Sequence, residues 1–199
     1  MLIIGLAGKS QSGKDSVCSI IFNENVSCMR FAFANLLKEF IRNAANKSIP
    51  ESEKDKPLAC FDGRSLGEMC QVIGQAIRNV EPNFFVNKLY HTVYAELLPF
   101  ETVQSGANYG NAFFPFPDIM VVTDVRYINE AQMIKTLGGK LIRIHRNIVS
   151  IRPSNHPSET EMDSLEFRSL VDFDLYNHGD LAQLENSTKN LLKSVIKEG

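Results

Sequence analysis

The sequence lacks several features that would each define a class of protein. It contains no tryptophan, and its four cysteines have no close paired spacing, which argues against a disulfide framework and favours reduced thiols in a cytoplasm. The four histidines are scattered and offer no metal-ligand spacing. The N-terminus has no basic stretch of the kind that begins a signal peptide, and no apolar run approaches the roughly 18 residues that a membrane span needs. We therefore expect a cytoplasmic protein without a membrane anchor.

A net charge is almost absent as well. The formal net charge is −2 over 199 residues, which argues against a broad surface for nucleic acid or for an anionic membrane. A local basic pocket for phosphate groups is compatible with this balance, so any nucleotide partner should be small. The length suits one domain that buries a sizeable core without cross-links.

The start of the chain carries the strongest functional signal. The apolar run Leu2-Ile3-Ile4 predicts a strand, and apolar residues after Lys14 recur at helical spacing. Between them, residues 8–14 read Gly-Lys-Ser-Gln-Ser-Gly-Lys, which is the spacing of a phosphate-binding loop. Backbone N–H groups at a helix N-terminus bind anions, and Gly13 lets the backbone approach phosphate oxygens closely. Lys14 would then reach the terminal phosphates.

The residue after Lys14 is Asp15, where such loops usually have serine or threonine to bind a magnesium ion. A carboxylate is still a hard oxygen ligand, and Ser16 follows directly. We therefore predict a Mg²⁺ site next to the nucleotide phosphates, with either Asp15 or Ser16 as its protein ligand.

Strand and helix patterns alternate along the rest of the chain, as in α/β proteins with a parallel sheet. Residues 118–124 contain a continuous apolar run, which is typical of a strand covered on both faces. Ser65 and Glu68 have capping-box spacing before one helix, and Asn35 is expected to cap the preceding helix. Further strands are predicted at 27–33, 140–145 and 171–175, and helices at 36–45, 66–80, 83–98, 129–137 and 181–197, with irregular or polar segments at 46–64, 100–117 and 146–165.

Charged residues near the ends of two predicted strands are candidates for binding a ligand or for stabilising charge during a reaction. Asp124 and Arg126 follow the buried strand, where ligands of open α/β sheets collect, although a helix or turn cap is the alternative role for Asp124. Glu130 stands in the first turn of the next helix, where the helix dipole alone favours a carboxylate. Three arginines near the later strand could stabilise charge on a transferring phosphoryl group, namely Arg143, Arg146 and Arg152.

In their order along the chain, these motifs resemble those of bacteriophage-type deoxynucleoside monophosphate kinases. The resemblance covers nearly the whole chain. It rests on the loop with Asp15 after its lysine, on Phe33-Ala34-Asn35 leading to Lys38, on Arg64 with Gln71 and Gly74, on Val122-Thr123-Asp124-Val125-Arg126 followed by Asn129-Glu130, and on His156-Pro157-Ser158-Glu159.

The resemblance implies a three-layer α/β P-loop NTPase fold with a five-stranded parallel sheet. It implies one domain over residues 1–199, with an acceptor-binding insertion at about 34–117 and a lid at about 146–165. The implied reaction is transfer of the γ-phosphoryl group of ATP to a deoxynucleoside 5′-monophosphate, with Mg²⁺. The residues assigned to catalysis are Lys14, Arg126 and Arg146. Those assigned to ATP are Ser10, Gln11, Ser12, Gly13, Lys14, Asp15, Ser16 and Arg152, and those assigned to the acceptor are Lys38, Arg64, Gln71, Arg78, Asp124, Arg126, Glu130, His156, Ser158 and Glu159.

Three departures from the expected pattern lie on the acceptor side and bear on base preference more than on the reaction. They are Leu36 where proline is common, Gln75 where threonine is common, and the missing tryptophan. Two other functions are compatible with the same loop: a kinase for another small phosphorylated metabolite, such as a dephospho-coenzyme A-like acceptor, and a nucleotide-binding module without catalysis. The arginines after Ile144 argue against the module, because a switch needs no second phosphate site. The sequence leaves a homodimer open.

Overall fold

Five parallel strands form one sheet in the computed structural model of the protein, which describes residues 1–24, 27–45, 49–50, 53–97, 117–147 and 156–197. The order across the sheet is β2-β3-β1-β4-β5, and every neighbouring pair is parallel. The predicted α/β class and the five-stranded parallel sheet are therefore confirmed. The strands are β1 (Leu2–Ala7), β2 (Cys28–Phe31), β3 (Ile119–Val125), β4 (Lys140–His145) and β5 (Phe173–Tyr176).

The two central strands set the position of the candidate site. Val121 and Val122 of β3 are both fully buried although they point to opposite faces, which is why the strand reads as a continuous apolar run. In the register of β1 with β3, Ala7 pairs with Val125. The loop after Ala7 and the residues after Val125 therefore begin side by side at one edge of the sheet, where ligands of such sheets bind.

Helices cover both faces of the sheet, which gives three layers. One core, on the side of α1 and α8, includes Ile4, Val17 and Leu184, and the core on the opposite face includes Met120, Leu89, Ile134, Met162 and Phe167. The helices are α1 (Lys14–Asn23), α2 (Asn35–Ala44), α3 (Leu66–Val80), α4 (Phe84–Leu97), α5 (Ile128–Thr136), α6 (Pro157–Thr160), α7 (Leu165–Ser169) and α8 (Leu181–Lys197), with 3-10 turns at Ala59–Phe61 and Glu161–Asp163. In the part of the chain that the structure describes, no helix combines the length and apolar character needed to cross a membrane.

The predicted helix boundaries are close to those observed, but one predicted cap is wrong. Ser65 and Glu68 form the expected capping box at the start of α3. Asn35 is not a cap, because it lies inside α2 and the preceding residue, Ala34, has no capping side chain. In α8, Val195 is buried and Ile196 is half exposed. Residues 98–116, which hold most of the predicted loop at 100–117, lie outside the described residues.

Residues 146–165 were expected to form an irregular polar segment, and this expectation is wrong for the second half of that range. Residues 157–163 form α6 and the following 3-10 turn, and the Met162 side chain is completely buried in the core. Arg143 on β4 donates a hydrogen bond to the Met162 carbonyl oxygen at 2.7 Å. The segment is therefore packed against the sheet. A single apolar residue in a polar stretch gives no periodicity, so the sequence pattern could not reveal this anchor. The lid limits themselves stay a prediction.

We predict that Met162→Ala lowers the free energy of unfolding by about 2–5 kcal/mol, because it leaves a cavity in a closed core. The matched control is Leu165→Ala, three residues on, where the side chain is 85% exposed and the change should stay within about 0.5 kcal/mol. Urea unfolding followed by circular dichroism measures both. Equal losses in the two variants would contradict the anchoring of this segment.

Candidate active site

The loop between β1 and α1 has the backbone shape of an anion-binding turn. Gly13, the N-cap of α1, has φ 102°, and Gln11 has φ 60°, so the chain turns twice through the left-handed region. A Cβ atom on Gly13 would lie only 2.4 Å from Nδ2 of Asn177. Because glycine has no side chain, nothing on Gly13 caps the first N–H groups of α1, and these groups are available to an anion.

Lys14 is the first residue of α1, and its ammonium group is held inside the loop. Lys14 Nζ donates to the carbonyl oxygens of Gly8 at 2.6 Å and Lys9 at 2.7 Å. Burial, and after it the positive charge of Arg126, lowers the pKa of Lys14 to about 8, although three carboxylates nearby act in the opposite direction. The loop therefore keeps a partly desolvated cation at the place where phosphate oxygens would bind.

Arg126 and Glu159 meet the loop from the neighbouring strand and from α6. Arg126 Nη1 contacts Oε1 of Glu159 and donates to the Ser158 carbonyl oxygen at 3.2 Å. The other oxygen, Oε2 of Glu159, accepts a hydrogen bond from the Ser10 N–H at 3.1 Å. The structure thus brings the loop, the predicted catalytic arginine and the predicted acceptor residue Glu159 together.

Of the three arginines near β4 that were predicted to act on phosphate, Arg146 lies at the loop and Arg152 lies outside the described residues. Arg146 is exposed, and its Nη1 lies 3.4 Å from the carbonyl oxygen of Gln11. The third arginine of this group, Arg143, is instead buried and bound to Asp163 and to the Met162 carbonyl oxygen, so it braces the fold.

Asp124 caps a helix in this structure. Its Oδ1 and Oδ2 accept hydrogen bonds from the N–H groups of Phe33 and Ala34, each at 2.8 Å, at the start of α2. The alternative role as a cap is therefore the one that the geometry shows, and the carboxylate replaces the cap that Asn35 was expected to provide. The partner lies about 90 residues away in sequence, so no local spacing could indicate it. Its role in acceptor binding stays a prediction.

Glu130 and Arg78, both predicted for the acceptor site, form a buried ion pair. Arg78 Nη2 lies 2.8 Å from Glu130 Oε1, and the Arg78 guanidinium stacks over the rings of Tyr127 and Phe85. Glu130 Oε2 accepts the Arg126 N–H at 2.9 Å. Burial raises the pKa of Glu130 to about 7 against the opposing charge of Arg78. The pair therefore fixes the backbone from which Arg126 extends.

Three of the remaining predicted acceptor residues, Arg64, Gln71 and His156, line a surface groove of about 560 Å³ beside α3. Arg64, Gln71 and Gln75 line it from the helix side, and His156, the N-cap of α6, lines it from the other. Burial lowers the pKa of His156, and the charge of Arg78 adds to this. Ser158 is buried and bonded to His156 Nδ1, while Lys38 lies half-buried on α2. The groove combines polar side chains with the apolar Val72 and Ala76, so it suits a ligand that has both hydrogen-bonding edges and an apolar surface.

The metal-ligand candidates are two oxygen donors at the start of α1. Mg²⁺ that is bound together with phosphates needs only one or two protein oxygen ligands, and the side chains of Asp15 and Ser16 can supply such oxygens. Asp15, however, is paired with Arg30 across the loop, which leaves Ser16 as the less encumbered donor. Within the described residues, no group of three or more His, Cys, Asp or Glu side chains forms a metal site.

A second cavity, of about 580 Å³, opens on the other side of the loop. Gly8, Lys9 and Ser12 line one wall. The opposite wall carries stacked rings from the ends of β4 and β5, with His145 and Tyr176 centroids 5.0 Å apart. An aromatic surface next to a phosphate-binding loop offers a place for a flat heterocycle.

Two supports of the loop were not predicted from the sequence. The buried Asn177 donates from Nδ2 to the Ser12 carbonyl oxygen at 2.9 Å, and Asp163 binds Lys9 Nζ at 2.8 Å. Asn177 follows a predicted strand, so the collection of functional groups at strand ends is the signal that points to it. Asp163 stands in a polar segment and has no comparable signal.

The sheet order and the loop after β1 fit the three-layer α/β fold of P-loop NTPases. The dephospho-CoA kinase from Campylobacter jejuni superposes with a TM-score of 0.51 at 14% identity, covering 98% of each chain. A curated relative from Acanthamoeba polyphaga mimivirus, named "Putative deoxynucleotide monophosphate kinase", is 27% identical over 187 residues, or 86% of this chain and 87% of the relative. No protein-family model matches the chain.

The resemblance to deoxynucleoside monophosphate kinases that the sequence predicts is confirmed by the mimiviral relative. The structural neighbour supports the fold alone, because its sequence identity is low.

We predict that Asp124→Ala costs about 1–2 kcal/mol of unfolding free energy, because two N–H groups at the start of α2 lose their acceptor. Glu39→Ala is the control, since it removes an exposed carboxylate from the same helix and should change stability by less than about 0.5 kcal/mol. Urea titration of both variants tests the cap. An Asp124→Ala protein as stable as the wild type would contradict it.

Proposed function

We propose that this protein is an ATP-dependent deoxynucleoside monophosphate kinase, which transfers the γ-phosphoryl group of ATP to a deoxynucleoside 5′-monophosphate. The observation that carries the proposal is that two cations, Lys14 and Arg126, lie at the carboxyl ends of β1 and β3. Glu159 joins Arg126 to the Ser10 N–H of the loop, and the charge of Arg126 adds to the effect of burial in lowering the pKa of Lys14. A loop lysine alone serves one phosphate-bearing ligand, and a second cation suits transfer between two.

The donor nucleotide, ATP, is assigned to the loop and to the cavity of about 580 Å³ beside it. Residues 10–16 would bind its phosphates through their N–H groups and Lys14. Arg146, which already contacts the loop, and Arg152 would neutralise further phosphate charge. The stacked rings of His145 and Tyr176 offer a surface for the base.

The acceptor monophosphate is assigned to the groove beside α3. Arg64 supplies charge at one end, and Gln71 and His156 supply hydrogen-bonding groups along it. Lys38, Ser158 and Glu159 complete the predicted set. Asp124, Glu130 and Arg78 act indirectly in this proposal, because their described contacts hold α2 and the Arg126 backbone.

Phosphoryl transfer needs positioning and charge neutralisation rather than a covalent intermediate. Lys14 and Arg126 would neutralise the phosphoryl oxygens while the loop N–H groups hold the donor in line. Bound Mg²⁺ supplies further neutralisation of the β and γ phosphates, and Asp15 and Ser16 are the residues that would hold it.

The finer assignments rest on the same resemblance. We propose that residues of about 34–117 form the acceptor-binding insertion and that residues of about 146–165 include a lid. We also propose a cytoplasmic enzyme acting on free nucleotides, with nucleic acid polymers and membranes as no part of its reaction. A homodimer is compatible with this function and is tested by sedimentation.

The acceptor identity is tested by ADP release from ATP and Mg²⁺ with a panel of acceptors. We predict turnover with at least one deoxynucleoside 5′-monophosphate and none with dephospho-coenzyme A. Product analysis by ion-exchange chromatography identifies the diphosphate. Turnover with dephospho-coenzyme A or another phosphorylated metabolite alone would make this a kinase of a different class, and binding of ATP without acceptor-dependent turnover would indicate a non-catalytic module.

In the same assay, we predict that Lys14→Ala lowers kcat by at least about 10²–10³-fold, because it removes a preorganised cation from the transferring group. Its circular dichroism spectrum should match the wild type, since the removed ammonium contacts only loop groups. Lys193→Ala, which removes an exposed lysine from α8 outside the loop, is the control. Near-normal turnover by Lys14→Ala would refute the loop assignment.

The affinity for ATP should fall as the pH rises above about 8, the pKa to which burial and Arg126 lower Lys14. The sign follows because the cation attracts the phosphates and is lost on deprotonation, so the dissociation constant should rise by up to about tenfold per pH unit. Calorimetric titration across this range measures the effect. Lys14→Ala should bind weakly with no such dependence, and an equal dependence in that variant would assign the titration to another group.

A further inference from the structure

The carboxylate of Glu159 occupies the mouth of the phosphate-binding loop. One oxygen accepts the Ser10 N–H at 3.1 Å, and the other pairs with the Arg126 guanidinium. The side chain is only 13% exposed, and its charge acts on Lys14 by raising the pKa of that lysine. An anion therefore already fills a position between the loop and the arginine.

The groups around this carboxylate are those that bind phosphate. Backbone N–H groups of a loop and an arginine guanidinium form charge-assisted hydrogen bonds to planar carboxylates and to phosphates alike. Two oxygens of a phosphate could accept the same donors that the two oxygens of Glu159 accept here. A ligand phosphate that accepts from the Ser10 N–H and from Arg126 Nη1 would take the place of the Glu159 carboxylate, because these two groups already bind it and two anions at one position repel.

We propose that Glu159 is an internal competitor for phosphate: its carboxylate occupies a phosphoryl position of the loop, and a bound nucleotide phosphate replaces it. The inference rests on the proposed function only in needing a phosphate at the loop, and it is independent of the acceptor. Arg126 changes partner in this exchange, from Glu159 to the phosphate. The apparent affinity for phosphate is then lowered by the fraction of molecules in which the carboxylate is in place.

The exchange is a rotation of the Glu159 side chain and leaves its segment in place. The flanking residue Ser158 is buried, Glu161 accepts the Ile128 N–H at 2.7 Å, and Met162 is fixed in the core. Asp163 binds Lys9 and Arg143 on the far side of the loop. Moving the whole segment would break all of these contacts, whereas rotating one side chain breaks only those of Glu159.

The opposite role for Glu159 gives a different result on substitution. If the carboxylate served to orient Arg126 for a bound phosphate, its loss would weaken phosphate binding. If it competes with phosphate, its loss strengthens binding. Inorganic pyrophosphate is the suitable probe, because it contains the phosphates and lacks both base and acceptor chemistry.

The experiment compares pyrophosphate and ATP binding by calorimetry for the wild type, Glu159→Gln and Glu159→Ala. Glu166→Gln is the matched control, because it removes one negative charge from exposed α7, where Glu166 accepts only a 3.3 Å hydrogen bond from Gln132. We expect both Glu159 variants to bind pyrophosphate at least about fivefold more tightly than the wild type, a coupling of ordinary size. The Glu166→Gln control should bind as the wild type does.

Glu159→Gln keeps the volume and one hydrogen-bond acceptor, so it should fold, and thermal unfolding checks this. Unchanged or weaker pyrophosphate binding by both variants would overturn the proposal while leaving the kinase assignment intact. Tighter binding without turnover of any deoxynucleoside monophosphate would support the competitor and refute the proposed acceptor. No binding of pyrophosphate or ATP to any form would overturn both.

Discussion

The candidate site depends on the buried ammonium group of Lys14. Lys14 Nζ has exchanged most of its hydration for two carbonyl oxygens of its own loop, at 2.6 and 2.7 Å. Neutral carbonyls repay only part of the cost of burying a charge, so its pKa is low. The loop must therefore be held by other parts of the chain. Asn177, the residue after β5, holds the loop by donating to the Ser12 carbonyl oxygen, and Asp163 holds it by pairing with Lys9.

Four carboxylates of the candidate site make two main kinds of contact: two bind backbone N–H groups, and two pair with arginine side chains. Asp124 and Glu130 have their oxygens bonded to backbone N–H groups of α2 and of the turn after β3, so they position elements. Asp15 on α1 and Glu159 on α6 each pair with an arginine side chain, Asp15 with Arg30 and Glu159 with Arg126. Of these two described pairs, only that of Glu159 also binds an N–H group of the loop, so it is the pair that a bound phosphate would rearrange in the proposed exchange.

Local patterns predicted the parts of the structure that local physics determines. The apolar run before Asp124, the capping box of Ser65 and the loop of residues 8–14 all depend on neighbours in sequence, and each is confirmed in the structure. Partners distant in sequence were not predictable. Asp124 replaces Asn35 as the cap of α2, and Met162 anchors a segment that reads as polar, because tertiary contacts determine both. The contacts of Arg143 with Met162 and Asp163 are likewise tertiary and were not predicted, while its role towards a phosphoryl group stays a prediction.

The candidate site also combines a local motif, the loop, with residues that tertiary contacts bring to it. A loop between β1 and α1 specifies that an anion binds, and many reactions use it. The register that pairs Ala7 with Val125 adds Arg126 to the loop, and the anchored turn around Met162 adds Glu159. Because both additions depend on the sheet and the core rather than on the loop sequence, the loop motif alone could not predict either of them.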